Sequence, residues 1–82
     1  MNIADYKETV EDAIRFINDG GSAVYVFGLW NDGGTPKSRE WALEKLNTGS
    51  WSFGMGFYNL NYIMMNGHWV LQFKELHEND MF

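Results

Sequence analysis

Between Ile3 and Asn18 the apolar positions recur at helical spacing. Ile3, Tyr6, Val10, Ala13, Ile14 and Ile17 fall on one stripe, which predicts an amphipathic helix. Asn2 serves as its N-cap, and Asp5 sits in the first turn, where the helix dipole favours an anion. Glu11 and Arg15 form an i,i+4 pair in the favourable order. Gly20-Gly21 ends the helix, because glycine accepts the left-handed backbone of a C-terminal cap.

Ser22 to Trp30 is nearly all apolar and rich in β-formers, the pattern of a central strand covered on both faces. Asn31-Asp32-Gly33-Gly34 reads as a loop. Thr35-Pro36 then reads as the start of a second helix, with Thr35 as N-cap, Pro36 at the first helical position and a narrow apolar face of Ala42, Leu43 and Leu46. Asn47-Thr48-Gly49 stops it. From Trp51 to Lys74 the pattern is β. Asn66-Gly67 is the signature of a two-residue type I′ hairpin. Pairing outward from it sets Met64 opposite Trp69, Tyr62 opposite Leu71 and Leu60 opposite Phe73. The apolar parity changes near Tyr58-Asn59, so either a bulge bends one long strand there or a turn begins a three-stranded meander. The meander is preferred, with Phe57 opposite Leu60 and Phe53 opposite Met64. The tail, 75–82, is acidic, weakly patterned and expected to fray. The expected fold is α+β, one domain over 1–82 in the order α-β-α-β-β-β. It has a mixed or antiparallel sheet with two helices on one face, and a right-handed crossover places one later strand parallel to the first.

Composition narrows what such a domain can be. Eighty-two residues fill one core, and a domain this small needs dense packing or a staple. Cysteine is absent and histidine occurs twice, so neither disulfides nor zinc is expected, and 45% hydrophobic and 17% aromatic residues leave packing to hold the fold. The charged start, Met1-Asn2-Ile3-Ala4-Asp5, lacks the basic-then-apolar pattern of a signal peptide, and no apolar run is long enough to span a bilayer. Cysteine-free composition fits a reducing compartment, so the expectation is cytoplasmic. The net charge of −5 opposes direct contact with a phosphate backbone and favours a basic partner.

Chemistry-bearing residues are few and scattered. His68 follows the hairpin turn opposite Met65, and His77 lies in the tail, so no orienting partner for an acid–base histidine is evident. The acids fall on helix surfaces, in loops or in the tail, as solvated carboxylates do. The loop before Thr35-Pro36 lacks both GxxxxGK[ST] and GxGxxG, and reads as an ordinary turn. Along the first helix Asp5, Glu8, Asp12 and Asp19 fall in one stripe opposite the apolar face, with Phe16 beside it, off the core side. The plain reading is the helix's wet side; the functional one is a surface for a basic groove. Trp41 shares a face with Lys37 and Lys45 and is either an interface residue or covered within the chain. Trp51-Ser-Phe-Gly-Met-Gly-Phe-Tyr58 is a glycine–aromatic strand with no basic residue between Lys45 and Lys74. It suits pairing with another chain better than stacking of nucleobases.

These features point to a non-enzymatic protein-binding module without cofactor or metal. It is expected to inhibit or mask another protein, as phage anti-defence or toxin-neutralising proteins do, through Asp5, Glu8, Asp12, Phe16, Asp19, Trp41 and Lys45. The alternative is a self-associating or small-ligand-binding domain, a homodimer through the glycine–aromatic strand with Tyr58, Tyr62 and His68 lining a pocket. A small enzyme using His68 comes third.

Overall fold

The computed structural model describes residues 2–28, 34–54 and 56–76. The N-terminal helix is shorter than its apolar stripe. Ile3–Asp5 makes a 3-10 turn capped by the Asn2 side chain, and the backbone is extended again at Tyr6. Helix α1 then runs over Val10–Asn18, with Thr9 as its N-cap: the Thr9 hydroxyl accepts the Asp12 N–H at 3.1 Å. The break frees Tyr6 from the helical phase, and α1 buries Ala13, Phe16 and Ile17. Phe16 is therefore a core residue and not a neighbour of the acid stripe. The space for it comes from Gly21, where an added Cβ would lie 2.2 Å from the Phe16 ring.

Strand β1, Ser22–Phe27, buries Ala23 at 3% and Val24 at 4% exposure on opposite faces, as a continuous apolar run implies. Gly28, at φ 91°, follows it. The expected extension through Leu29-Trp30 and the loop at 31–33 lie outside the described residues.

Thr35-Pro36 does not open a helix. Thr35–Lys37 forms β2, an edge strand antiparallel to β1 with Pro36 opposite Val24. An outer strand accommodates proline because its missing N–H has no ladder to break on the solvent side. Ser38 takes over the capping role, its hydroxyl accepting the Trp41 N–H at 3.1 Å, and α2 spans Arg39–Asn47. It buries Ala42 and Leu46.

The meander is not formed either. Strand β3 is only Ser52–Phe53 and runs parallel to β4, Tyr58–Met65, with Phe53 beside Leu60. The parity change falls in the connecting loop, where Gly54 and Gly56 adopt φ of 110° and 152°. A Cβ at either would meet nothing within 4 Å, so these glycines supply backbone freedom and not close approach. The hairpin, by contrast, forms as read. Asn66 and Gly67 take φ of 51° and 84°, the two positive values of a type I′ turn. Strand β5, His68–Glu75, pairs in the expected register: Met64 with Trp69, Tyr62 with Leu71, Leu60 with Phe73. Glu75 belongs to this strand and not to a frayed tail, and the Leu76 N–H donates to the Phe57 carbonyl at 2.8 Å.

The result is a mixed five-stranded sheet in the order β2-β1-β5-β4-β3. The chain passes from β1 through α2 and returns to lay β5 parallel to β1. The two helices share one face, so the fold is α+β with a single core. That core joins Phe16 and Ile17 of α1, Ala42 and Leu46 of α2, and Leu60, Leu71 and Phe73 of the sheet, with Trp51 closing it.

Candidate functional site

The surface expected to make contact is partly spent on the fold. Asp12 accepts the Lys7 N–H at 3.0 Å and the Arg15 guanidinium at 3.1 Å. The Lys7 amide first, and Arg15 after it, hold the Asp12 carboxyl below the usual carboxylate range. Asp19 accepts the Tyr6 hydroxyl at 2.7 Å, which raises the Tyr6 phenol, and lies 3.9 Å from Arg15. Arg15 also donates to the Asp5 carbonyl and stacks 4.3 Å from the centre of the Tyr6 ring. Together these groups clasp the N-terminal turn onto α1. Asp5 and Glu8 remain exposed, while Phe16 is enclosed.

Trp41 is likewise engaged within the chain. Its ring meets Phe73 and Tyr25 edge-on, with centroids 5.1 and 5.8 Å away. The Lys37 and Lys45 amines stand 5.2 and 5.6 Å from its centre. Such packing is worth more than its area alone, and it leaves Trp41 half-buried.

Exposed rings occur elsewhere. Phe27, Phe57 and Tyr58 are 47%, 51% and 45% exposed. Register aligns Phe27 of β1, Glu75 of β5 and Tyr58 of β4 in one row across three adjacent strands. Neighbouring strands lie about 4.8 Å apart, so the row is a continuous patch. The Tyr25 hydroxyl donates to Glu75 at 2.5 Å. Burial, reinforced by that carboxylate, pushes the Tyr25 phenol up to about 12. Trp51 packs against Tyr58 at 5.3 Å and supports the row from beneath. Sequence reasoning missed the row because it counted Phe27 and Phe57 in apolar strand patterns and set Tyr58 at a turn or bulge, or in a small pocket.

The opposite end of the sheet holds two adjoining clefts, of about 370 and 430 Å³, at the start of β1 and the tip of the β4–β5 hairpin. His68 and Ser22 line both. Tyr58 and Tyr62 line neither, and Tyr58, paired with Glu75, stands at the opposite end of the β4–β5 pair from His68, so the three do not share one pocket. Tyr62 packs instead against Phe16 and Phe53. No carboxylate is among the described residues lining either cleft, so His68 has no acid beside it there. Among the described residues no three His, Asp or Glu side chains gather as metal ligands would. His77 lies outside them. No helix of the described chain is long and apolar enough to cross a membrane. No family model, known protein or solved structure matches the chain.

Proposed function

We propose that this chain is a non-enzymatic, cytosolic protein-binding module that inhibits or masks a partner with a basic surface. A phage anti-defence protein or a toxin-neutralising partner is the type it fits. The observation that carries the reading is the row of half-exposed rings at one end of the sheet, Phe27 and Tyr58 flanking Glu75; Phe57, also exposed, precedes Tyr58 in the chain. Single exposed aromatics are ordinary, but two flanking one carboxylate in a row across three strands suit a contact surface. The net charge of −5, with Asp5 and Glu8 exposed, favours a basic partner and speeds the encounter. Phe16 and Trp41 drop out of the contact set because both serve the core.

The test is affinity capture from a host lysate, followed by titration of the captured protein against substituted chains. Phe57→Ser combined with Tyr58→Ser is expected to weaken binding at least about tenfold, equivalent to about 1.4 kcal/mol. Charge reversal at Asp5 and Glu8 is expected to slow association and weaken its salt dependence. A partner that binds all these variants as well as the parent chain would show that another surface acts.

Self-association, the second reading, has one observation in its favour. β3 pairs only with Asn59 and Leu60, so among the described strands none lies along residues 61–65 of β4 on the side away from β5. No Lys, Arg, Asp or Glu occurs between Lys45 and Lys74, so nothing on that edge repels a second copy. The pairing edge of a homodimer is then β4 and not the glycine–aromatic strand. Sedimentation equilibrium decides it: a monomer at high concentration removes the reading, and a dimer broken by Met64→Lys sustains it.

A further inference from the structure

The smaller cleft differs in charge from the rest of the molecule. The chain carries eleven acids against six Lys and Arg, yet the described lining of this cleft includes Lys37, Arg39 and His68 and no acid. Its volume of about 370 Å³ falls at the low end of the range for small-molecule sites. The site lies at the far end of the strands from the Phe27–Glu75–Tyr58 row and does not depend on the protein-binding reading.

The cationic groups are placed differently. Arg39 donates to the Asn18 side-chain oxygen at 2.8 Å, which orients the guanidinium without neutralising it. Both ion pairs found among the described residues belong to Arg15, so the charge of Arg39 is uncompensated there. The Lys37 amine turns away, over Trp41 at 5.2 Å, and acts on the cleft through its field alone. His68 at the start of β5 and Ser22 at the start of β1 also line it. Val24, Val70 and Met65 complete the wall with apolar surface. A guanidinium presents parallel N–H donors that match the two oxygens of a carboxylate, and apolar walls favour a ligand with a hydrocarbon body over a bare ion.

We propose that this cleft binds a small organic carboxylate. Its anionic group meets Arg39, with Ser22 and His68 as further donors, and its apolar body lies on Val24, Val70 and Met65. Amide NMR of the isotope-labelled chain, titrated with benzoate, tests the assignment. Saturable shifts are expected at Ser22, Arg39 and His68. Benzamide, which has the same ring without the charge, and inorganic phosphate, which has charge without the ring, are each expected to bind at least tenfold more weakly. Arg39→Gln keeps a donor for Asn18 and is expected to lower benzoate affinity at least tenfold. Lys74→Gln removes the same charge far from the cleft and is expected to leave affinity within twofold. The proposal is overturned if benzoate gives no saturable shift. It is equally overturned if benzamide or phosphate matches benzoate, or if Arg39→Gln binds as well as the parent chain while its spectrum shows an intact fold.

Discussion

At one end of the sheet Asn66 and Gly67 fold β4 onto β5, and the Phe16 ring fills the space left by Gly21. At the other, Phe27, Glu75 and Tyr58 stand in a row with about half of each flanking ring in water. The same strands run through both. At the hairpin end, backbone conformation and ring packing constrain each other, so small changes in shape are costly. At the aromatic end the rings rest on a core already closed by Trp51 and Phe73, whose centroids are 5.4 Å apart. Tyr58 and Phe57 lie beyond that closure, about half exposed.

Substitutions sharpen this contrast in order of size. Gly21→Ala puts a methyl group into the Phe16 ring. It is expected to destabilise the domain by about 2–3 kcal/mol, the upper part of the range for overpacking, as read by denaturant unfolding. A loss below about 0.5 kcal/mol would mean that the ring has somewhere else to go. Gly67→Ala meets no neighbour but must hold φ at 84°, and is expected to cost about 1 kcal/mol. Next comes alkaline pH. The Tyr25 phenol, raised to about 12 by burial and the Glu75 carboxylate, keeps its proton more tightly folded than unfolded. Its contribution to stability is complete below pH 10 and disappears as pH rises through about 12. The denaturation midpoint should fall across that window, and fall less steeply in Tyr25→Phe. Identical slopes would detach Tyr25 from the effect. Smallest is Phe57→Ser at the aromatic end, expected to change stability by less than about 0.5 kcal/mol. A loss as large as that of Gly21→Ala would erase the distinction between the two ends and make Phe57 a structural residue.

Much of the fold is legible where a short segment carries its own geometric instruction. Asn66-Gly67 specifies a turn with two positive φ values, and the register of all eight residues of β4 follows from it. The start of α1 was legible too, in Thr9 three residues ahead of Asp12, but the apolar stripe from Ile3 to Ile17 masks it. Ser38 marks α2 in the same way, and Thr35-Pro36 competes with it as a start signal. The candidate surfaces were less legible. A helical wheel gives the direction of Phe16 only if the helix is unbroken, and the turn at Tyr6 shifts what surrounds it. The clustering of Arg39, Ser22 and His68 arises from three elements distant in the chain, so no spacing announces it.

What the residues determined by themselves were local backbone choices: glycine and asparagine at left-handed positions, hydroxyls at helix starts, and alternation along the hairpin strands. These depend on steric and hydrogen-bonding limits within a few residues of each position. Only the tertiary structure decided that Thr35–Lys37 joins the sheet edge, that Phe53 lies parallel beside Leu60, and that Phe16 turns inward over Gly21. In each case the deciding energy is apolar area or ladder pairing shared with another segment, and it exists only once both are in place.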